Sequence, residues 1–245
     1  MNRIVLMVLR NILKVPGLYA KLCRYAKEPD RHPEQERWDH ISHILQLAVK
    51  SGNVDLQVTG LENIPAPGEG FMIYANHQGL FDVVAIASTC PTPLGAVVKK
   101  ELQGVPFVQQ VIDCTKSFPM DREDVRQSLT VIQNVIAEVK AGRNYLIFPE
   151  GTRSKNGNTM GDFHGGSFRC AIKAKCPILP VALVDSFRPL DQKGSAPITV
   201  YLSYLEPILF EEYGDRNTTE LAALVKERIQ AEMDRIQKNN REKTE

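Results

Sequence analysis

The stretch 71-FMIYANHQGLFDVVAIAS-88 decides the predicted fold, because it joins a short apolar run to a helical pattern through a polar turn. Phe71 to Ala75 is apolar and short, as a buried strand is, and Phe81 to Ser88 has the pattern of a helix. The turn between them contains His77 and Gly79. A strand followed directly by a helix is typical of layered α/β proteins.

The alternation of strand and helix continues along the rest of the chain. Further strands are predicted at Val54–Val58, Leu94–Val98, Ser117–Met120, Asn144–Phe148, Ile178–Val184 and Ile198–Tyr204. Further helices are predicted at Val105–Cys114, Asp124–Ala141, Ser167–Lys175, with Ser167 as N-cap, and from Thr218 to about Asn239, after which the tail is expected to fray. The sequence therefore predicts an α/β fold with a mostly parallel central sheet flanked by helices.

Two helical segments precede the first strand and predict an N-terminal helical hairpin. The first, Ile4–Leu22, contains Arg10, Lys14 and Pro16, and each charge at the centre of a bilayer costs about 2.5–3.5 kcal/mol. Its basic residues Arg3, Arg10, Lys14 and Lys21 would form one stripe on a continuous helix. We therefore expect this helix to lie in a membrane interface, with Pro16 kinking or splitting it. The alternative is an internal helix packed on the domain, with its basic residues in water.

The second helix, predicted from Pro33 to about Gly52, completes the hairpin. The predicted organisation is a membrane-docking hairpin at residues 1–53 and an α/β domain at residues 54–245. A net charge of +1 over 245 residues gives no indication of nucleic acid binding. Five cysteines without a CxxC pair favour reduced thiols, and the absence of an HExxH pattern leads us to expect no metal.

The turn Asn76–Asp82 contains the strongest candidate for catalysis. A histidine at the carboxyl end of a buried strand lies where α/β sheets bind their ligands. Across the turn with Gly79, Asp82 can hold one nitrogen of the His77 imidazole while the other accepts a proton. The alternative is a capping residue with an unrelated aspartate in the first helical turn.

A second candidate segment, 148-FPEGTRS-154, also follows a buried strand. Gly151 lets the backbone approach a ligand closely, and Arg153 offers a planar fork suited to phosphate. Glu150 can accept a hydrogen bond from a substrate hydroxyl. The alternative is a turn that a Glu–Arg pair holds in place.

Together these segments resemble the glycerophosphate acyltransferase family, and most closely its bacterial lysophosphatidate acyltransferases. The segment 76-NHQGLFD-82 is similar to the NHxxxxD block of that family, and 148-FPEGTRS-154 to its FPEG-[ST]-R block. The segments 176-CPILPV-181 and 99-KKEL-102 also resemble family blocks, and 118-FPMDR-122 does so with departures before its arginine. The resemblance covers roughly residues 54 to 210.

The resemblance implies a function and a set of site residues. His77 would be the general base on the acceptor hydroxyl, and Asp82 would orient and stabilise the imidazolium. The donor would be an acyl thioester, either acyl-CoA or acyl carrier protein, and the acceptor would be lysophosphatidate, with no cofactor. The protein would act at the cytoplasmic face of the cell membrane as a peripheral or monotopic protein. Substrate contacts would come from Lys100, Arg122, Glu150, Gly151, Thr152 and Arg153.

Three alternatives remain open at the level of the sequence. The acceptor could be glycerol-3-phosphate or another lysophospholipid. The chain could be a non-catalytic peripheral lipid-binding protein, although the presence of all four residues His77, Asp82, Glu150 and Arg153 argues against a lost activity. It could also be a thioesterase that transfers the acyl group to water, but the basic residues near the site favour a phosphate-bearing acceptor.

Overall fold

The structure is a computed structural model that describes residues 3–242. A seven-stranded sheet forms its centre, with strands β1 Val54–Thr59, β2 Met72–Ala75, β3 Leu94–Lys99, β4 Phe118–Met120, β5 Asn144–Ile147, β6 Ile178–Val184 and β7 Ile198–Tyr204. The helices are α1 Arg3–Arg10, α2 Val15–Lys27, α3 Glu34–Ser51, α4 Phe81–Thr89, α5 Val108–Thr115, α6 Val125–Lys140, α7 Arg169–Ala174, α8 Arg188–Asp191, α9 Phe210–Tyr213 and α10 Thr218–Glu242.

The strands lie in the order β1-β7-β6-β2-β5-β3-β4. Every neighbouring pair is parallel except β6 and β7, which are antiparallel. The predicted α/β fold with a mostly parallel sheet is therefore confirmed. Five neighbouring strands, from β6 to β4, end at the same edge of the sheet, which is where ligands bind in such sheets.

Helices cover both faces of the sheet, so its central strands are apolar along their whole length. In β2, Ile73 and Ala75 join one buried cluster with residues of α3 and α4, whereas Met72 and Tyr74 join a second cluster with residues of α6, α7 and α10. This alternation follows from the period of two in a strand. All four side chains are fully buried, so β2 is anchored on both faces.

The N-terminal segment forms two short helices instead of one. The chain leaves α1 after Arg10 and re-enters a helix at Val15, so Pro16 occupies the first turn of α2, where its missing N–H is tolerated. The predicted split of this segment is confirmed, and the break lies at residues 11–14, just before Pro16. Within the described residues, no helix combines the length and the apolar character that crossing a bilayer requires.

The predicted outward basic stripe is wrong for Arg3, whereas Arg10 is exposed but hydrogen-bonded to the protein. Arg3 is only 3% exposed, and its guanidinium donates hydrogen bonds to backbone carbonyl groups, including that of Ala196 at 2.8 Å. Arg10 donates to the carbonyl of Ser51 at 2.9 Å. A single helical wheel does not apply because the helix is interrupted, and backbone carbonyl groups of the protein accept hydrogen bonds from both guanidinium groups.

Helices α2 and α3 share one core with the sheet. Leu22 and Tyr25 of α2 and Trp38 of α3 belong to the same buried cluster as the residues of β2 and β6. The proposed division at residue 53 stays a prediction. Within the described residues, the segment before residue 53 has no core that is separate from that of the sheet.

The remaining differences from the predicted elements are local. Ser167 is not the N-cap of α7: it lies in a 3₁₀ turn at Gly165–Phe168 and donates its hydroxyl to the carbonyl of His164 at 2.6 Å. Helix α10 continues to Glu242, so the tail expected to fray is helical up to that residue. Residues 243–245 of that tail lie outside the described part of the chain.

Candidate active site

The candidate residues follow the carboxyl ends of neighbouring parallel strands. His77 follows β2, and the segment from Phe148 to Arg153 follows β5, which pairs with β2. Ser186 follows β6 on the other side of β2. The sheet order therefore collects three segments that are far apart in sequence around one imidazole.

His77 and Asp82 form a hydrogen-bonded pair. The Nδ1 atom of His77 lies 2.7 Å from Oδ2 of Asp82. Asp82 lies in the first turn of α4, and the turn at 76–80 brings it back under the imidazole. Because Asp82 holds Nδ1, Nε2 is the nitrogen that can accept a proton from a substrate. The His77 side chain is 19% exposed, so it remains accessible at the surface.

The ring of His77 is also held from the side. It stacks on the ring of Phe148, with ring centroids 4.1 Å apart and planes inclined by 18°. A stacked ring and a hydrogen bond to Nδ1 together restrict both rotations of the imidazole. The Nε2 atom is thereby held in one direction, as a general base requires.

The Asp82 carboxylate is fully buried and accepts four hydrogen bonds. Its Oδ2 atom accepts from Nδ1 of His77 and from the backbone N–H groups of Gln78, at 2.6 Å, and Gly79, at 3.0 Å. Its Oδ1 atom accepts from the hydroxyl of Ser186. A buried carboxylate without hydrogen-bond donors is costly, and these four donors offset that cost.

Glu150 connects the two predicted motifs. Its Oε1 atom accepts from the backbone N–H of His77 at 2.6 Å, and its Oε2 atom accepts from the backbone N–H of Gly161 at 2.7 Å. Burial raises the pKa of this carboxyl, and the two backbone hydrogen bonds oppose that shift. Both oxygens are therefore occupied by backbone groups. The predicted contact between Glu150 and substrate stays a prediction.

Gly151 and Thr152 form the tight turn that follows Glu150. Gly151 has a φ of 68°, which L side chains rarely adopt, and a Cβ atom there would lie 3.3 Å from the His164 ring. Thr152 is exposed beside it. This geometry favours glycine at position 151, because any other residue would be strained there.

Arg153 is exposed and is held by an aspartate outside both motifs. Its Nη1 atom lies 2.8 Å from Oδ1 of Asp191, and Oδ2 of Asp191 accepts from the backbone N–H of Leu80 at 3.0 Å. Asp191 thus connects the guanidinium to the turn that carries His77. The remaining guanidinium N–H groups of Arg153 can donate to an anion at the same edge.

Lys100 and Arg122 lie farther along the edge. Lys100 follows β3 and Arg122 follows β4, which are two and three strand positions from β2. At about 4.8 Å per strand these positions are about 10 and 14 Å away. Lys100 pairs with Asp121 at 3.1 Å, and this hydrogen bond raises the pKa of its ammonium group. In the strand order, Arg153 follows the direct neighbour of β2, whereas Lys100 and Arg122 follow strands that lie farther from it.

Three residues near the site were missed by the sequence reasoning: Ser186, Asp191 and Asn158. Ser186 could have been found, because it lies just beyond the predicted strand Ile178–Val184. Asp191 and Asn158 lie in segments without a periodic pattern, so no local signal indicated them. Within residues 3–242 no group of three or more His, Cys, Asp or Glu side chains is arranged to hold a metal ion.

Comparisons with known proteins identify the family of this chain. The model of the acyltransferase family matches residues 55–184, more than half of the chain. A 1-acyl-sn-glycerol-3-phosphate acyltransferase of Salmonella typhimurium is 34% identical over 179 residues, which cover 70% of this chain and 72% of the relative. The enzyme of that name from Escherichia coli is 33% identical over 160 residues, covering 64% of this chain and 65% of the relative.

A solved structure confirms the fold. The 1-acyl-sn-glycerophosphate (LPA) acyltransferase of Thermotoga maritima superposes with a TM-score of 0.75 at 22% identity, covering 95% of this chain and 96% of that one. The extent of the family match and the identity to the Salmonella relative show that this chain is an enzyme of the acyltransferase family.

Proposed function

We propose that this acyltransferase transfers a fatty acyl group from a thioester to the free hydroxyl of lysophosphatidate, giving phosphatidate for phospholipid synthesis. The observation that carries the proposal is the His77–Asp82 pair, which lies beside the exposed guanidinium of Arg153 at one edge of the sheet. A general base next to an anion-binding group suits an acceptor that has both a hydroxyl and a phosphate. The names of the bacterial relatives point to the same acceptor.

The proposed step needs only the two substrates. Nε2 of His77 takes the proton of the acceptor hydroxyl as the oxygen attacks the thioester carbonyl carbon. The tetrahedral intermediate collapses by breaking the carbon–sulfur bond, and the departing thiolate takes the proton back from the imidazolium. Asp82, buried and fixed by four donors, stabilises the imidazolium while it carries the proton.

The donor is acyl-CoA or acyl carrier protein in this proposal, because both present the same thioester. Arg153 would bind the acceptor phosphate through the N–H groups that Asp191 leaves available. Lys100 and Arg122 would contribute positive charge at a greater distance along the same edge.

We also propose that the enzyme docks on the cytoplasmic face of the cell membrane through α1 and the turn after it. The supporting observation is a row of exposed apolar side chains there. Its members are Ile4, Val5, Val8, Leu9, Ile12, Leu13 and Val15. Since Arg3 and Arg10 bind the protein, burial of apolar surface would provide the main attraction, with Lys14 and Lys21 adding a smaller electrostatic contribution.

The test is an acceptor panel assayed with both donor classes. Each acceptor would be offered with acyl-CoA and with acyl carrier protein that carries a fatty acyl chain. The acceptors are lysophosphatidate, glycerol-3-phosphate, lysophosphatidylcholine and water. We expect efficient transfer to lysophosphatidate and a loss of at least 10²–10⁴-fold in the His77→Ala variant. The control is His43→Ala, which removes an exposed histidine outside the site. Preferred transfer to water, or full activity without His77, would overturn the proposal.

A further inference from the structure

Among the residues that the structure describes, one donor, the Ser186 hydroxyl, serves Oδ1 of Asp82. Oδ2 of Asp82 accepts from His77 and from two backbone N–H groups, whereas Oδ1 accepts from the hydroxyl of Ser186. Asp82 and Ser186 are both 0% exposed. A buried carboxylate oxygen without a donor is costly. Bulk water does not reach this oxygen, so the Ser186 hydroxyl provides the hydrogen bond that it needs.

A turn at Asp185 orients the hydroxyl of Ser186. Asp185, the first residue after β6, has a φ of 63°, a left-handed conformation that aspartate adopts more readily than most residues. Asn158 holds this turn: its Oδ1 accepts from the backbone N–H of Asp185 at 2.8 Å, and its Nδ2 donates to the Asp185 carboxylate at 3.0 Å. The turn directs Ser186 back toward Asp82 in place of continuing the strand.

The Ser186 hydroxyl lies within hydrogen-bond distance of two acceptors, Gln78 and Asp82. Oε1 of Gln78 lies 3.0 Å from both the backbone N and the Oγ atom of Ser186. The backbone N–H already satisfies Oε1, and a hydroxyl has one proton to donate. The carboxylate of Asp82 is the stronger acceptor because it is charged. The amide of Gln78 also donates to Asn158 at 2.9 Å, which ties the catalytic turn to the turn at Asp185.

We infer that Ser186 is a positioning residue for catalysis, which fixes Asp82 so that Oδ2 faces the His77 imidazole and which shares the negative charge of the carboxylate through Oδ1. This inference rests on the proposed roles of His77 and Asp82. Ser186 touches no substrate and acts through Asp82. Its contribution is therefore expected in kcat, since the imidazolium forms during the reaction and not on binding.

The experiment compares Ser186→Ala with the wild type. We expect kcat to fall roughly tenfold to a hundredfold, the range that loss of one hydrogen bond to a charged group gives, while KM for lysophosphatidate and for the donor changes less than threefold. The matched control is Ser88→Ala, which removes another buried serine whose hydroxyl donates to the carbonyl of Ala85 at 3.1 Å. The control should keep wild-type kcat at comparable thermal stability.

A spectroscopic readout separates positioning from general loss of structure. The Nδ1–H proton of His77 is expected as a low-field resonance in protein labelled with ¹⁵N-histidine, and His77→Ala assigns it by its disappearance. In folded Ser186→Ala the resonance should move, because the hydrogen bond between His77 and Asp82 changes. An unchanged kcat, a change confined to KM, or a resonance at the wild-type position would each overturn the inference. Full activity of His77→Ala would instead overturn the proposed function itself.

Discussion

Replacing Asp82 by asparagine removes one negative charge and leaves the local hydrogen bonds in place. The amide oxygen of Asn can accept from Nδ1–H of His77 and from the backbone N–H groups of Gln78 and Gly79, as Oδ2 does now. The amide nitrogen then faces Ser186, whose hydroxyl can turn and accept. Each donor keeps an acceptor, so we expect Asp82→Asn to fold with close to wild-type stability.

The lost charge determines the size of the effect. Nδ1 of His77 and Oδ2 of Asp82 are 2.7 Å apart, which puts the centres of the two delocalised charges about 4 Å apart. At an effective dielectric constant of about 20, a unit positive charge on the imidazole gains about 4 kcal/mol from the carboxylate. Since that charge exists only while His77 holds the substrate proton, kcat should fall about a thousandfold.

The assay measures initial rates of acyl transfer to lysophosphatidate in mixed micelles, together with thermal unfolding. Asp82→Ala is the informative comparison, because it leaves the N–H groups of Gln78 and Gly79 without their acceptor at a cost of about 1–3 kcal/mol each. That variant should lose both activity and several degrees of melting temperature. If Asp82→Asn kept its stability and its kcat stayed within tenfold of the wild type, charge stabilisation by Asp82 would be refuted.

Three further predictions concern the acceptor, the membrane and the thiols. Arg153→Ala should raise KM for lysophosphatidate at least tenfold more than it raises KM for the donor, and Arg153→Lys should recover part of the loss. Equal effects on the two KM values would exclude a phosphate contact. Leu13→Glu should abolish flotation with liposomes, because this side chain is 95% exposed on the proposed docking surface, whereas Val125→Glu, at a side chain 70% exposed on α6, should not. Stability should fall as pH rises above about 9, by on the order of 1 kcal/mol per pH unit and thiol, because burial raises the pKa of four cysteines, Cys90 among them, and these thiols therefore ionise first in the unfolded chain. Urea titrations at pH 8 and 10 measure this, and equal stability at both would contradict it. The other three are Cys114, with a pKa of about 11, and Cys170 and Cys176, each with a pKa of about 12.

The sequence by itself was sufficient for the features that local patterns encode. Short apolar runs predicted the strands because a sheet covered on both faces buries every side chain of its central strands. Pro16 predicted the break between α1 and α2 because it has no N–H to donate. The pairing of His77 with Asp82 was also predictable, since five residues across one turn determine it.

Only the tertiary structure decided the features that depend on residues distant in sequence. Arg3 binds the carbonyl of Ala196, Glu150 binds the N–H of His77, and Ser186 binds Asp82, over separations of 73 to 193 residues. A periodic pattern reports which face of an element is buried, but it does not report which neighbour covers that face. Strand order supplies that information: β5 and β6 flank β2, and their carboxyl ends therefore bring Glu150 and Ser186 to the histidine.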